Sequence, residues 1–164
     1  MGATRAEDLR AAIGHFATGV AVIASRTAAG APVGATASAV ASLSLDPPLV
    51  LVCFDRGSRT LAAVREHGAF AINVLAAHHR DVSTAFARRG AGEELWEVIE
   101  HRHGISGSPH LHDALATLDC AVHEILPGGD HEIVVGRVLD TAQGTQGHEP
   151  LVYYRGAYAS LAAA

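Results

Sequence analysis

Apolar residues fall along this chain in short blocks punctuated by Gly, Pro and Asp, and only a few stretches keep a helical period. Residues 20–25, 49–54 and 70–75 are nearly continuous and rich in β-branched side chains. That pattern predicts strands buried on both faces. Thr36, Ser38, Ser42 and Ser44 alternate with Ala37, Ala39 and Leu43, which predicts a strand with its hydroxyls on one side. Asp46-Pro47-Pro48 cannot continue a ladder and predicts a turn into 49–54. Longer runs over 114–125 and 131–140, joined by Pro127-Gly128-Gly129, predict an antiparallel pair, and 151–154 and 158–161 close the sheet.

Helical spacing is confined to three places. Leu9, Ile13 and Phe16 predict an amphipathic helix over 7–17. A second helix is expected over 61–67, stopped by Gly68, and a third over 78–89 with Val82, Ala85 and Phe86 on one face. Residues 90–109 are polar and irregular apart from a turn around Leu95, Trp96 and Ile99, and read as a lid or binding loop. Short strands in hairpins with few helices predict a mostly β fold, a small antiparallel barrel with flanking α, rather than a doubly wound sheet. No GxGxxG follows a strand, so a Rossmann cofactor site is not expected. The domain is set at 9–161, with 1–8 as a flexible tail.

Composition narrows the chemistry. The 164 residues are 49% hydrophobic and 18% charged, which suits one domain with a real core. A net charge of −5 argues against a nucleic-acid surface. All twelve basic residues are Arg, so Schiff-base chemistry and a Walker phosphate loop, both of which need Lys, are excluded. Cys53 and Cys120 lie in apolar runs and read as buried free thiols, in keeping with a cytoplasmic protein. No apolar run suits a signal peptide or a membrane span.

Candidate chemistry gathers between positions 34 and 60. Asp55 and Arg56 lead into Gly57-Ser58-Arg59-Thr60, which opens the second helix. Free amides, two hydroxyls and a guanidinium at a helix start make a phosphate cradle. An N-cap role for Ser58 or Thr60 is the plainer alternative. Arg88 and Arg89 are weaker candidates for the far end of a dinucleotide. His101-x-His103 and His110-x-His112 would each put two rings on one side if extended, yet no Cys accompanies them and no metal site is expected.

The run Gly34-x-Thr36-x-Ser38, followed by Ser42-x-Ser44-Leu45-Asp46-Pro47-Pro48-Leu49, resembles the signature of the flavin reductase-like family. Further matches follow in order: Phe16-Ala17-Thr18-Gly19-Val20, Ser58-Arg59-Thr60, Phe70-Ala71-Ile72-Asn73-Val74-Leu75, Gly129-Asp130-His131 and Pro150-Leu151-Val152-Tyr153-Tyr154-Arg155-Gly156. Ala39 and Val40 depart from the pattern, where many relatives carry Ser or Thr and an aromatic residue.

The resemblance implies an FMN-binding split β-barrel, Greek-key-like and antiparallel, that works as an NAD(P)H:flavin oxidoreductase. FMN or FAD would be reduced by NADH or NADPH and passed to a separate flavin-dependent monooxygenase, by a homodimer. His131 would be the catalytic residue, orienting the nicotinamide. Flavin contacts would come from Thr36, Ala37, Ser38, Ser42, Cys53, Phe54, Asp55, Ser58, Arg59, Thr60, Arg88, Tyr154 and Tyr158, with Cys53 and Phe54 against the isoalloxazine. The alternatives are a non-catalytic flavin store, or a split-barrel oxidase of the pyridoxamine-phosphate-oxidase type.

Overall fold

A computed structural model describes residues 5–88, 93–144 and 147–161. Its centre is a seven-stranded antiparallel sheet in the order β3-β2-β6-β9-β10-β5-β4. The strands are β2 (Ala21–Arg26), β3 (Pro32–Ala37), β4 (Val40–Leu45), β5 (Pro48–Asp55), β6 (Ala69–Val74), β9 (Ala116–Gly128) and β10 (His131–Gln143). A three-stranded sheet joins β1 (Thr18–Gly19), β11 (Val152–Tyr154) and β12 (Ala157–Ala159), and β7 (His101–His103) pairs with β8 (Pro109–Leu111). The helices are α1 (Ala6–Ile13), α2 (Arg59–His67), α3 (Arg80–Phe86) and α4 (Glu94–Val98).

The hydroxyl-bearing stretch is not one strand. It breaks at Ser38–Ala39 into β3 and β4, which form opposite edges of the seven-stranded sheet. Two residues span both edges, so the sheet must roll until its edges come together, a split barrel. The Cys53 amide donates to the Ala39 carbonyl at 3.0 Å across that corner. A bulge between Ser42 and Ser44 then shifts the register of β4, and the even alternation of hydroxyls is lost.

Two apolar cores result. Ile23, Val52, Phe54, Val64, Phe70, Ile72 and Val134 fill the barrel. Val20, Val22, Leu75, Phe86, Trp96 and Leu111 pack outside it, beneath α3, α4 and the β7–β8 hairpin. Burial alternates along β5: Val50, Val52 and Phe54 are buried, while Leu49, Leu51 and Cys53 are half-buried. The expectation of a strand covered on both faces therefore fails for β5, because no described helix packs on its outer face. Burial pushes the Cys120 thiol up to about 12, which keeps it an inert, protonated core group.

Two further expectations change. The N-terminal helix begins at Ala6 and buries none of its residues, leaving Leu9, Ile13 and Phe16 exposed. The supposed lid is largely packed structure. Trp96 of α4 is buried, and the β7–β8 hairpin is pinned to the sheet by Asn73, whose amide donates to the Pro109 carbonyl and whose Oδ1 accepts from Leu111 N–H. Residues 89–92 of that stretch, Arg89 among them, lie outside the described residues.

Candidate functional site

The split between β3 and the end of β5 opens a cleft of about 310 Å³. Val33, Gly34, Ala35 and Thr36 form one wall, Asp55 and Gly57 to Thr60 the second, and Phe86, Ala87 and Arg88 of the α3 end the third. A second chamber of about 210 Å³ adjoins it, sharing Thr36 and Ala87 and bounded by Val20, Ser38, Tyr153 and Tyr158. The first volume falls in the usual size range of small-molecule sites.

Local sequence fixes the second wall. Asp55 ends β5, and its Oδ1 accepts from Gly57 N–H at 2.7 Å while its carbonyl accepts from Ser58 N–H at 2.9 Å. The chain thus turns tightly into α2. Ser58 is the N-cap, its Oγ accepting from Leu61 N–H at 3.3 Å. The plain capping role and a site role coincide in this residue, because it also lines the cleft. Arg59 and Arg88 both line the same cleft, from two different walls. The helix start and two guanidiniums give it a donor set that suits a phosphate ester.

Gly34 of β3 makes room for packing. A Cβ on Gly34 would come within 2.9 Å of the Trp96 ring and 3.0 Å of Phe86. Glycine here lets two aromatic side chains close against the strand. Thr36 is also partly committed: its Oγ1 donates to the Ser83 carbonyl of α3 at 2.7 Å, so toward a ligand it offers only lone pairs.

His131 opens β10 beyond the turn made by Gly129 at φ 74°. In the ladder it lies opposite Asp55, which lines the cleft, and Arg56 N–H donates to the Asp130 carbonyl at 3.2 Å. His131 Nδ1 is 2.7 Å from Asp130 Oδ1. That hydrogen bond holds the Asp130 carboxyl below its ordinary range. An ionised Asp130 accepts Nδ1–H and leaves Nε2 to face outward. Beside it, Glu132 pairs with Arg65, tying β10 to α2. The His131 turn and the helix start are thereby fixed to each other.

The predicted site residues separate into those brought together and those left apart. Thr36, Asp55, Ser58, Arg59, Thr60 and Arg88 line the first chamber, and Ser38 and Tyr158 the second. Phe54 points into the barrel core, and Cys53 is half-buried with the residues that alternate away from it. Neither lines the cleft: Phe54 faces the core, and Cys53 shares the face of Asp55 but lies two residues back along the strand. Ala37 packs on the barrel core. Ser42 is exposed on the far edge strand, and Tyr154 sets its ring against His15 at 6.1 Å. Val20, Val33, Phe86 and Ala87 line the chambers without having been singled out as site residues; as ordinary core-type positions they carry no signal of their own. Among the described residues no group of three His, Cys, Asp or Glu is placed to hold a metal.

Comparison with known proteins identifies the family. The sequence profile of the flavin reductase like domain matches residues 13–162. A Rhizobium meliloti (strain 1021) protein bearing a flavin reductase name is 44% identical over 150 residues, covering 92% of this chain; the chain spans 47% of that relative's length. The reductase component of a 4-nitrophenol 4-monooxygenase/4-nitrocatechol 2-monooxygenase from Rhodococcus opacus is 42% identical over 154 residues, covering 92% of this chain and 78% of that protein. The solved NADH:FAD oxidoreductase of Streptomyces globisporus C-1027 superposes with a TM-score of 0.89 at 30% identity, covering 99% and 98% of the two chains. By fold and by profile, this chain belongs to the flavin reductase like domain family.

Proposed function

We propose that this protein is an NAD(P)H:flavin oxidoreductase, reducing FMN or FAD and supplying the reduced flavin to a separate monooxygenase. The observation that carries the reading is the two-chamber cleft, with helix-start amides and two arginines at one end and His131 paired in the ladder with the cleft-lining Asp55. Ser58, Thr60, Arg59 and Arg88 hold the phosphate end of the flavin. Thr36 and Ser38 border its ring end. When bound, the flavin supplies the two-electron acceptor for hydride from the nicotinamide. The chain's own contribution is orientation. His131, held by Asp130, directs Nε2 at the carboxamide and sets the pyridine ring against the flavin. The whole protein then acts as the reductase half of a two-component oxygenase, as the Rhodococcus opacus relative's name describes for that protein.

We also propose that it works as a homodimer. The outer face of β4, β5, β10 and β9 carries Ala41, Leu51, Cys53, Leu126 and Ile133, each of them partly or fully exposed. A second copy of the face would bury it symmetrically.

The deciding experiment is anaerobic NADH and NADPH oxidation at 340 nm with FMN, FAD or no added flavin, with flavin bleaching followed in parallel. Turnover that requires flavin is expected. Tight flavin binding without turnover on either nucleotide would replace the reductase with a flavin store or an oxidase.

A further inference from the structure

We infer that Ser83 is a positioning residue for flavin binding, the joint that holds the two chambers of the cleft in register. The inference rests on the flavin reading above.

Ser83 is fully buried in α3. A buried helical serine ordinarily satisfies its hydroxyl on a carbonyl of its own preceding turn, as Thr84 does next door by donating to the Arg80 carbonyl at 2.9 Å. Ser83 instead pairs its Oγ with the Tyr158 hydroxyl at 2.7 Å, across to β12. Its backbone carbonyl accepts from Thr36 Oγ1 of β3 at 2.7 Å. One residue therefore grips both a wall of the second chamber, Tyr158, and the residue shared by both chambers, Thr36.

The surroundings make this grip directional. Tyr158 is clamped on two further sides, by the Arg80 guanidinium 5.3 Å from its ring centroid and by an edge-on contact with Tyr153 at 5.6 Å. Phe86 and Ala87 lie three and four positions beyond Ser83, on the same side of the helix end, and line the cleft. A ligand that spans both chambers meets walls from β3, β12 and α3, and Ser83 is where these three elements are hydrogen-bonded together. Without the bond the chambers keep their shapes but lose their fixed spacing. A long ligand gripped at both ends suffers most from that change. A nicotinamide held at the His131 turn suffers little.

The test is a double-mutant cycle on the full chain, with Ser83→Ala, Tyr158→Phe and both together. Flavin dissociation constants come from quenching of flavin fluorescence, and KM for NADH and melting temperature are measured alongside. Each single change is expected to weaken flavin binding by about fivefold or more, and the pair to weaken it no further than the worse single. KM for NADH is expected to stay within about twofold of the parent. Losses that multiply in the double variant overturn the inference. So do flavin constants within about twofold of the parent alongside a lowered melting temperature, the mark of a purely structural bond. If Ser83→Ala fails to fold, Tyr158→Phe decides alone: tight flavin binding there overturns the inference. A parent that binds flavin and oxidises NADH while the variants bind equally well removes Ser83 only. A parent with no flavin affinity removes the flavin reading and this inference together.

Discussion

His131 gains its orientation from a neighbour in sequence. Asp130 and His131 flank the start of β10, and the 2.7 Å contact fixes one ring nitrogen while the other stays available. The imidazole is 45% exposed, so its order depends on that hydrogen bond and on the turn that Gly129 permits. Replacing His131 with Ala should lower kcat/KM for NADH on the order of ten- to a hundredfold, the cost of losing orientation at a reacting centre. Flavin affinity should hold, because no phosphate-side residue is touched. Stopped-flow hydride transfer with saturating flavin reads the first effect and flavin fluorescence the second; an unchanged transfer rate would remove His131 from the site. The sequence singles out His131 only through the family resemblance carried by Gly129-Asp130-His131, since a histidine at a turn has by itself no mark of function. Ser83 was not legible, because a serine inside a helix looks the same whether it bonds its own turn or a distant tyrosine. Cys53 and Phe54 stand apart from the cleft for another reason. The strand was read correctly, but Phe54 alternates into the core and Cys53 lies two residues back from Asp55, so neither lines the described cleft.

At the scale of elements, α2 and α3 were both foreseeable, and the point where α3 begins was not. Ser58 as cap, Gly68 as stop and the apolar positions between them specify α2 almost to the residue. The third wall depends on where α3 begins, and that is set by His79. Its Nδ1 accepts Ala76 N–H at 3.2 Å ahead of the helix, in a buried position against the rings of His78 and, through it, His148. Burial, reinforced by the charge of His78, lowers the pKa of His79, and burial with the Arg26 charge lowers that of His67. A lowered histidine pKa means the unfolded chain binds protons that the folded chain refuses. Stability is therefore full above the ordinary value near 6.5 and declines as pH falls below it. Protonation of His79 at Nδ1 also removes the acceptor for Ala76. Melting temperature should drop as pH goes from about 7 toward 5, and His79→Gln should flatten that slope. An equal slope in the variant would place the acid sensitivity elsewhere. Asp119 adds to the same direction at lower pH. Its burial would raise its pKa, but His110 at 3.7 Å and the Ser106 donors outweigh this and hold it below the ordinary range. The stability those contacts lend the hairpin is lost as pH falls through that lowered value.

For the whole molecule, alternation carried most of the fold and its exceptions carried the shape. Antiparallel strands, the 127–129 turn and a mostly β architecture follow from the sequence pattern alone. That β3 and β4 are opposite edges does not, since hydroxyl alternation runs through the break at Ser38–Ala39 without a signal; only long-range pairing of β2 with β6 and of β10 with β5 separates them. The same rolling leaves one sheet face open. Leu51 lies opposite Ala41 on one side and Val135 on the other, near the middle of that face. A stable interface hides on the order of 800 Å² per partner. A carboxylate placed at its centre would have to be buried without a counter-charge, which costs several kcal/mol per copy. Leu51→Asp should therefore convert a species of twice 17.0 kDa into one of 17.0 kDa in light scattering coupled to size exclusion. Because the flavin cleft lies at the split rather than on this face, the variant should keep its flavin affinity. A parent protein that already runs at 17.0 kDa would show that the open face has no second copy on it. A variant that stays dimeric would move the interface elsewhere, with the exposed Leu9, Ile13 and Phe16 as the next surface to test.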